Sequence, residues 1–255
     1  MPEFIDIHSH VNFPEYDADR DEVISRALTA GTWMINVGTD KEASASAVEL
    51  ANKYEKGVYA IVGLHPTHTG ELFDYDFYKK LASNDKVVAI GECGLDYFRA
   101  DPSTAGNQKE VFQAQINLAK ELDLPLMLHI RNAYKDAYDI LKANPGVRGN
   151  VHFFAGTVDE ARMFLELGFT LSFTGVITFA RDYDEVIKYV PLDMIMSETD
   201  CPYVTPEPYR GKRNEPVYVS EVVKKIAEIK GENVDVVKKA IISNASRLFG
   251  FNLSL

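Results

Sequence analysis

Eight short apolar runs, alternating with segments of helical periodicity, leave this chain few ways to fold. The runs are Phe4 to His8, Trp33 to Val37, Val58 to Leu64, Val87 to Ile90, Leu126 to Ile130, Asn150 to Phe154, Phe169 to Phe173 and Met194 to Ser197. A stretch such as Val87-Val88-Ala89-Ile90 is apolar throughout and too short for a buried helix, which marks a strand covered on both faces. The sequence between them predicts helices over about Arg20 to Ala30, Lys41 to Tyr54, Glu71 to Ala82 and Gln108 to Leu122, with another ending near Ala143. Gly31 ends the first of these, and Thr157 with Glu160 has the form of a capping box opening a further helix. Two more, Val217 to Ile229 and Val234 to Phe249, follow the last strand. Strict alternation with buried strands implies parallel βαβ units. Eight of them in 255 residues favour a (β/α)8 TIM barrel, slightly irregular and with an extra C-terminal helix, as one domain over residues 1–255. An open Rossmann-like sheet is the alternative, but no glycine-rich phosphate loop follows the first strand.

Charge and cysteine content narrow the partners. The net charge of −11 argues against holding duplex nucleic acid by broad neutralisation, so a polyanion is expected at its end or in a small basic patch. Bound divalent metals would invert the local field of such an acidic site. Two cysteines, Cys93 and Cys201, fit a reducing compartment better than a disulfide scaffold. No apolar run approaches a membrane span, and MPEFIDIHSH enters a strand almost at once. The expectation is a cytoplasmic protein with no membrane partner, a monomer or weak oligomer.

The polar residues at strand ends carry the chemistry. Glu92 follows a buried strand, where a carboxylate is costly unless something positive meets it. Four of the six histidines also sit at or beside strand ends, and a carboxylate among imidazoles points to metal. His8 and His10, as His-x-His, place two imidazoles side by side, with Asp6 on the same face by the two-residue period. The candidate ligands are His8, His10, Glu92, His129, His152 and Asp200, too many for one tetrahedral zinc. We expect two divalent ions, with His8, His10 and Asp200 on one, His129 and His152 on the other, and Glu92 on both. Mixed nitrogen and oxygen donors fit Zn²⁺, Mn²⁺, Mg²⁺ or Co²⁺ and do not name the metal. Such a site does hydrolysis, with Asp200 and Glu92 catalytic and Asp200 placed to orient a water or take its proton. The metal site alone leaves phosphodiester, ester and amide substrates open.

Other residues are secondary. His65 ends a strand and suits substrate binding or a structural hydrogen bond, whereas His68 is expected to face solvent. Asp96, Arg99, Arg131, Arg210 and Arg213 are candidates for a rim that holds phosphate, with surface ion pairs as the alternative for the arginines. Glu198 shares a face with Asp200 and is expected to orient a ligand or water. Cys93 and Cys201 are read as small buried packing residues.

The motifs run end to end: DIHSH at Asp6 to His10, GLHP at Gly63 to Pro66, GECGLDY at Gly91 to Tyr97, LHIR at Leu128 to Arg131, HFFAG at His152 to Gly156, and SETDCPY at Ser197 to Tyr203. RGKRNEP at Arg210 to Pro216 and NASRLFG at Asn244 to Gly250 complete the series. In this order they resemble the TatD family of metal-dependent deoxyribonucleases, within the amidohydrolase-like TIM barrels. The resemblance implies a divalent-metal nuclease acting on DNA from the 3′ end, with some members acting on RNA. It carries the metal ligands onto the same six residues, and substrate contacts onto His65, Arg131, Arg213 and Asn214. Where the family commonly reads HCFSG, this chain has Phe153 and Ala155, so one hydroxyl is lost near the site. The leading expectation is a two-metal 3′–5′ exonuclease on single-stranded or frayed DNA ends. Ester or amide hydrolysis, including aminoacyl-tRNA deacylation, is the alternative, ahead of metal binding without catalysis.

Overall fold

The computed structural model describes residues 1–68 and 70–251. Eight strands form one parallel sheet in sequence order: β1 (Phe4–Ser9), β2 (Thr32–Val37), β3 (Val58–Val62), β4 (Val87–Asp96), β5 (Leu126–Arg131), β6 (Gly149–Val151), β7 (Thr170–Phe173) and β8 (Ile195–Ser197). The helices are α1 (Arg20–Thr29), α2 (Lys41–Asn52), α3 (Tyr75–Ala82), α4 (Ala105–Leu122), α5 (Tyr134–Lys142), α6 (Val158–Glu166), α7 (Asp184–Tyr189), α8 (Val219–Lys230) and α9 (Val234–Phe249). This is the TIM barrel; register shifts interrupt the β1–β2, β3–β4 and β4–β5 pairings, and the barrel closes at a seam. There β8 and β1 meet through two backbone hydrogen bonds, Asp200 N–H to the His8 carbonyl and His10 N–H to the Cys201 carbonyl, each 2.9 Å. Asp6 fastens the same seam by accepting from the Thr199 amide at 2.8 Å and its hydroxyl at 2.5 Å.

The core has two layers. Strand residues such as Leu126, Leu128, Val151 and Leu171 pack outward with the helices. Ile5, Ile7, Ile35, Ile61, Met127 and Met196 form a second cluster with Leu248, Phe249 and Phe251. Phe251 lies against Trp33 and Tyr59, near the starts of β2 and β3, so α9 closes the end of the barrel opposite the ligand-bearing strand termini. Among the described residues no helix is long and apolar enough to cross a membrane.

Several boundaries differ from expectation for local reasons. Asp74 caps α3 by accepting from the Phe77 amide at 3.1 Å, which moves the helix start from Glu71 to Tyr75. Strand β4 continues to Asp96, paired with Arg131, through residues expected to be loop. Gly94 permits this: its φ is +135°, and a Cβ there would sit 2.1 Å from the His129 carbonyl oxygen. The β1–β2 pairing shifts register between Asp6 and Ser9, so strict alternation does not run from Asp6 to His10. Helix α6 opens on the expected capping box of Thr157 and Glu160. Helix α7 has only six residues, and its apolar positions Val186 and Ile187 gave no period to read. The last four positions of the expected 1–255 domain lie outside the described residues.

Candidate metal centre

Strand ends bring the six candidate ligands to one place around Glu92. Its Oε1 lies 3.0 Å from His129 Nδ1 and 3.0 Å from His152 Nε2. Its Oε2 lies 3.4 Å from His8 Nε2 and 4.0 Å from His10 Nε2. The two Nε2 atoms of His8 and His10 are 3.1 Å apart, and Asp200 Oδ1 is 3.4 Å from that of His10 and 3.8 Å from that of His8. Glu92 therefore presents one oxygen to each of two corners, His8/His10/Asp200 and His129/His152.

Hydrogen bonds on the far sides of the rings fix which nitrogen carries a proton. His10 Nδ1 donates to the Val37 carbonyl at 2.9 Å, leaving a lone pair on Nε2. His129 Nε2 donates to Asp96 Oδ2 at 2.9 Å, and His152 Nδ1 donates to Glu198 Oε1 at 3.2 Å. In the neutral rings, the lone pairs of His129 Nδ1 and His152 Nε2 then face an acceptor-only carboxylate at 3.0 Å. Acceptors at that distance repel unless a cation or an extra proton lies between them. Burial lowers the pKa of both rings, but the carboxylates on either side outweigh it and raise both, His152 strongly. The donor set thus fits a divalent cation at the Glu92 carboxylate, whose own pKa burial raises but the surrounding imidazoles hold well below the usual range.

His65 differs. Its Nε2 is 3.4 Å from Glu92 Oε1, as a ligand's would be. But its Nδ1 accepts from the Thr67 backbone N–H at 3.2 Å, and an amide can only donate. In the neutral ring the proton therefore sits on Nε2. Burial pulls the pKa down to about 4, so the ring is neutral at pH 7 and presents an N–H to the site.

The remaining expectations fare unevenly. Arg131 stands at the end of β5, its guanidinium 4.1 Å from the Phe98 ring centroid. Glu198 is fully buried and accepts from the Phe153 amide at 2.6 Å and the Ser172 hydroxyl at 2.7 Å as well as from His152. Asp96, expected on the phosphate rim, is instead fully buried: Oδ1 accepts from the amides of Phe98 and Arg99, and Oδ2 from His129. A strand extended to Asp96 would have revealed this, since Glu92, Gly94 and Asp96 share one face by the two-residue period. Arg213 does not reach the cluster as a free cation, because Asp19 takes its guanidinium in a bidentate pair and Tyr16 lies beneath it. Asn214 is fully buried, and its amide donates to the carbonyls of Thr199 and Tyr203, which ties down the loop after β8. Sequence reasoning gave no role to Thr199, the residue before Asp200, whose amide and hydroxyl both donate to Asp6. His68 pairs with Glu71 at the surface, and both cysteines are buried and unpaired.

Known proteins are similar to this chain in sequence and fold. The family model described as TatD related DNase matches residues 5–250. An uncharacterized metal-dependent hydrolase of Bacillus subtilis, YabD, is 42% identical over 97% of this chain and 99% of its own length. A protein of Pantoea ananatis named as a 3′-5′ ssDNA/RNA exonuclease is 34% identical over 96% of this chain and 98% of its own. The crystal structure of YJJV, a TatD homologue of Escherichia coli, superposes with a TM-score of 0.90 at 32% identity, covering 98% of this chain and 99% of that one. The chain belongs to the TatD family of metal-dependent hydrolases.

Proposed function

We propose that this hydrolase is a 3′–5′ exonuclease acting on single-stranded DNA or RNA ends, with two divalent ions held on either side of Glu92. The observation that carries the two-ion reading is the split of donors between the two Glu92 oxygens: His129 and His152 lie at Oε1, while His8 lies nearest Oε2 with His10 and Asp200 grouped around it. When bound there, the ions supply Lewis acidity toward a phosphoryl group and lower the pKa of a water. Nuclease rather than ester or amide substrates are favoured by relatives of Pantoea, Rahnella and Cronobacter, each 34–35% identical and named as 3′-5′ ssDNA/RNA exonucleases.

The chain's own residues then divide the work. Asp200 has the most exposed side chain of the six ligands, 14% against 0% for His8 and 5% for Glu92. Burial raises its pKa, but His10, His152 and His8 outweigh that and keep it ionised, so it is the group to take a proton from water. His65 offers its Nε2–H to a phosphate oxygen as a neutral donor. Arg131, which has no carboxylate partner among the described residues, offers a positive fork held on the Phe98 ring at the end of β5.

The test is end-labelled single-stranded DNA incubated with the protein, with and without chelator. Stepwise shortening from the 3′ end, abolished by chelator and restored by Mg²⁺ or Mn²⁺, is the expected result. No shortening of DNA or RNA with any divalent ion, in folded and metal-loaded protein, overturns the proposal.

A further inference from the structure

Two features of the barrel mouth go beyond the chemistry above, which uses only Arg131 of them. The first is aromatic exposure. Of the four exposed aromatic side chains among the described residues, Phe98, Tyr203 and Phe179 (61, 50 and 39% exposed) lie just beyond β4, β8 and β7. Those strands end at the face that carries the ligands. The second is unneutralised arginine. Five of the ten arginines are ion-paired with a carboxylate. Of the other five, Arg131 ends β5, and Arg99, Arg181 and Arg210 lie in the segments after β4, β7 and β8. Arg181 stands in the field of Glu228, which leaves Arg99, Arg131 and Arg210 as the cations of these segments without a carboxylate partner among the described residues, in a chain with 38 acidic and 27 basic residues.

The two features coincide in pairs. The Arg131 guanidinium lies 4.1 Å from the centroid of Phe98, and that of Arg210 lies 3.9 Å from the centroid of Phe179. One pair is anchored directly to the candidate metal centre: Phe98 is two residues beyond Asp96, Arg131 two beyond His129, and Asp96 and His129 share a hydrogen bond. Asp96 also accepts from the Phe98 amide at 2.9 Å, so the backbone bearing the ring is fixed to the carboxylate that orients His129. With a guanidinium on one face and most of the side chain exposed, Phe98 keeps its other face open. A flat apolar face beside a free cation matches a nucleobase joined to a phosphate.

We propose that Phe98 backed by Arg131, and Phe179 backed by Arg210, are stacking platforms for unpaired bases of a single-stranded nucleic acid whose end lies at Glu92. This rests on the exonuclease reading and adds what selects the strand. Every base has a π face, so the platforms tolerate sequence. Bases inside a duplex have both faces covered, so paired ends must fray before they are held. Affinity should rise with oligonucleotide length until both platforms are filled.

The experiment compares wild type, Phe98→Ala, Phe98→Trp and Phe179→Ala in the metal-loaded full chain. Each is assayed on a thymidine oligonucleotide carrying one 2-aminopurine, by fluorescence quenching and by cleavage, and on bis(p-nitrophenyl) phosphate, which has no base. Phe98→Ala should raise KM for the oligonucleotide roughly 5- to 150-fold and reduce quenching, with kcat unchanged. Phe179→Ala should do the same for longer oligonucleotides only. Hydrolysis of the small diester should change far less than that of the oligonucleotide in both, and Phe98→Trp should restore oligonucleotide KM. An unchanged oligonucleotide KM in both alanine variants overturns the platforms, and so does an equal loss on both substrates. Failure of the exonuclease reading would look different: unmutated protein would hydrolyse the small diester while neither binding nor shortening the oligonucleotide.

Discussion

The two corners that meet at Glu92 are built differently. At the β5–β6 corner, both imidazoles are backed by buried carboxylates, His129 by Asp96 and His152 by Glu198. At the β1–β8 corner, His10 is backed by the neutral Val37 carbonyl, and His8 Nδ1 is buried with no hydrogen-bond partner among the described residues. A carboxylate behind an imidazole raises its basicity and fixes its orientation, whereas a carbonyl fixes orientation alone. On the two-ion reading, the β5–β6 corner would hold its cation the more firmly. The β1–β8 corner relies on the carboxylates of Asp200 and Glu92 and on the backbone seam that positions them. The more exposed acid, Asp200, stands at the less firmly backed corner.

The largest effect belongs to the residue both corners share. Glu92→Ala should abolish hydrolysis and reduce bound metal at both corners in protein that is still folded by circular dichroism. Retained metal stoichiometry and activity would remove the shared role. Asp200→Asn should cost kcat on the order of 10²–10⁴-fold, measured as the rate at saturating substrate, because it removes the proton acceptor. A change in KM alone would make it a binding group instead.

The next effect separates the corners. Asp96→Asn or Glu198→Gln should weaken the tighter metal-binding step about 10–100-fold in a calorimetric titration while leaving the weaker step in place. Equal weakening of both steps, or of neither, would break the comparison. Chelator titration of the loaded protein should correspondingly remove one equivalent first and stop hydrolysis with the other still bound. Loss of both equivalents together would show that the difference in backing has no consequence for affinity.

These contrasts also mark how far the sequence could be read. Strand order and the ligand-bearing strand ends followed from short apolar runs interrupted by histidines, since buried parallel strands have a strong local signature. What lay beyond one strand's own sequence was harder. Asp96 looked like a loop residue because Gly94 and the polar segment after it break the apolar run, although the tight approach to the His129 carbonyl needs that glycine. Arg213 and Asn214 sit in a segment as rich in charge as a substrate rim, and only the fold shows Asp19 and the Thr199 carbonyl already engaging them. Thr199 gives no sign of its role in sequence, because its partner Asp6 is 193 positions away. The proton on His65 was equally hidden, since the Thr67 amide that fixes it acts through loop geometry.

The smallest expected effect sharpens the comparison most finely, by removing one hydroxyl from each side. Ser172 donates to Glu198 Oε2 at 2.7 Å behind the β5–β6 corner, and Thr199 donates to Asp6 at 2.5 Å in the seam of the β1–β8 corner. Ser172→Ala and Thr199→Val each leave a buried carboxylate short of one donor. Each should therefore lower unfolding free energy by about 1–3 kcal/mol in urea denaturation. Their effects on metal should diverge. Glu198 touches His152 directly, so Ser172→Ala should loosen the tighter binding step by a few-fold, a fraction of the Glu198→Gln effect. Asp6 touches neither ring of the His-x-His pair; it accepts from the His8 backbone amide and the Thr199 amide, so Thr199→Val acts on the seam's backbone. It should lower stability and leave the tighter step unchanged. If both variants shift the same binding step, the corners are coupled through the barrel rather than separately supported, and the contrast between a carboxylate-backed and a backbone-backed corner falls.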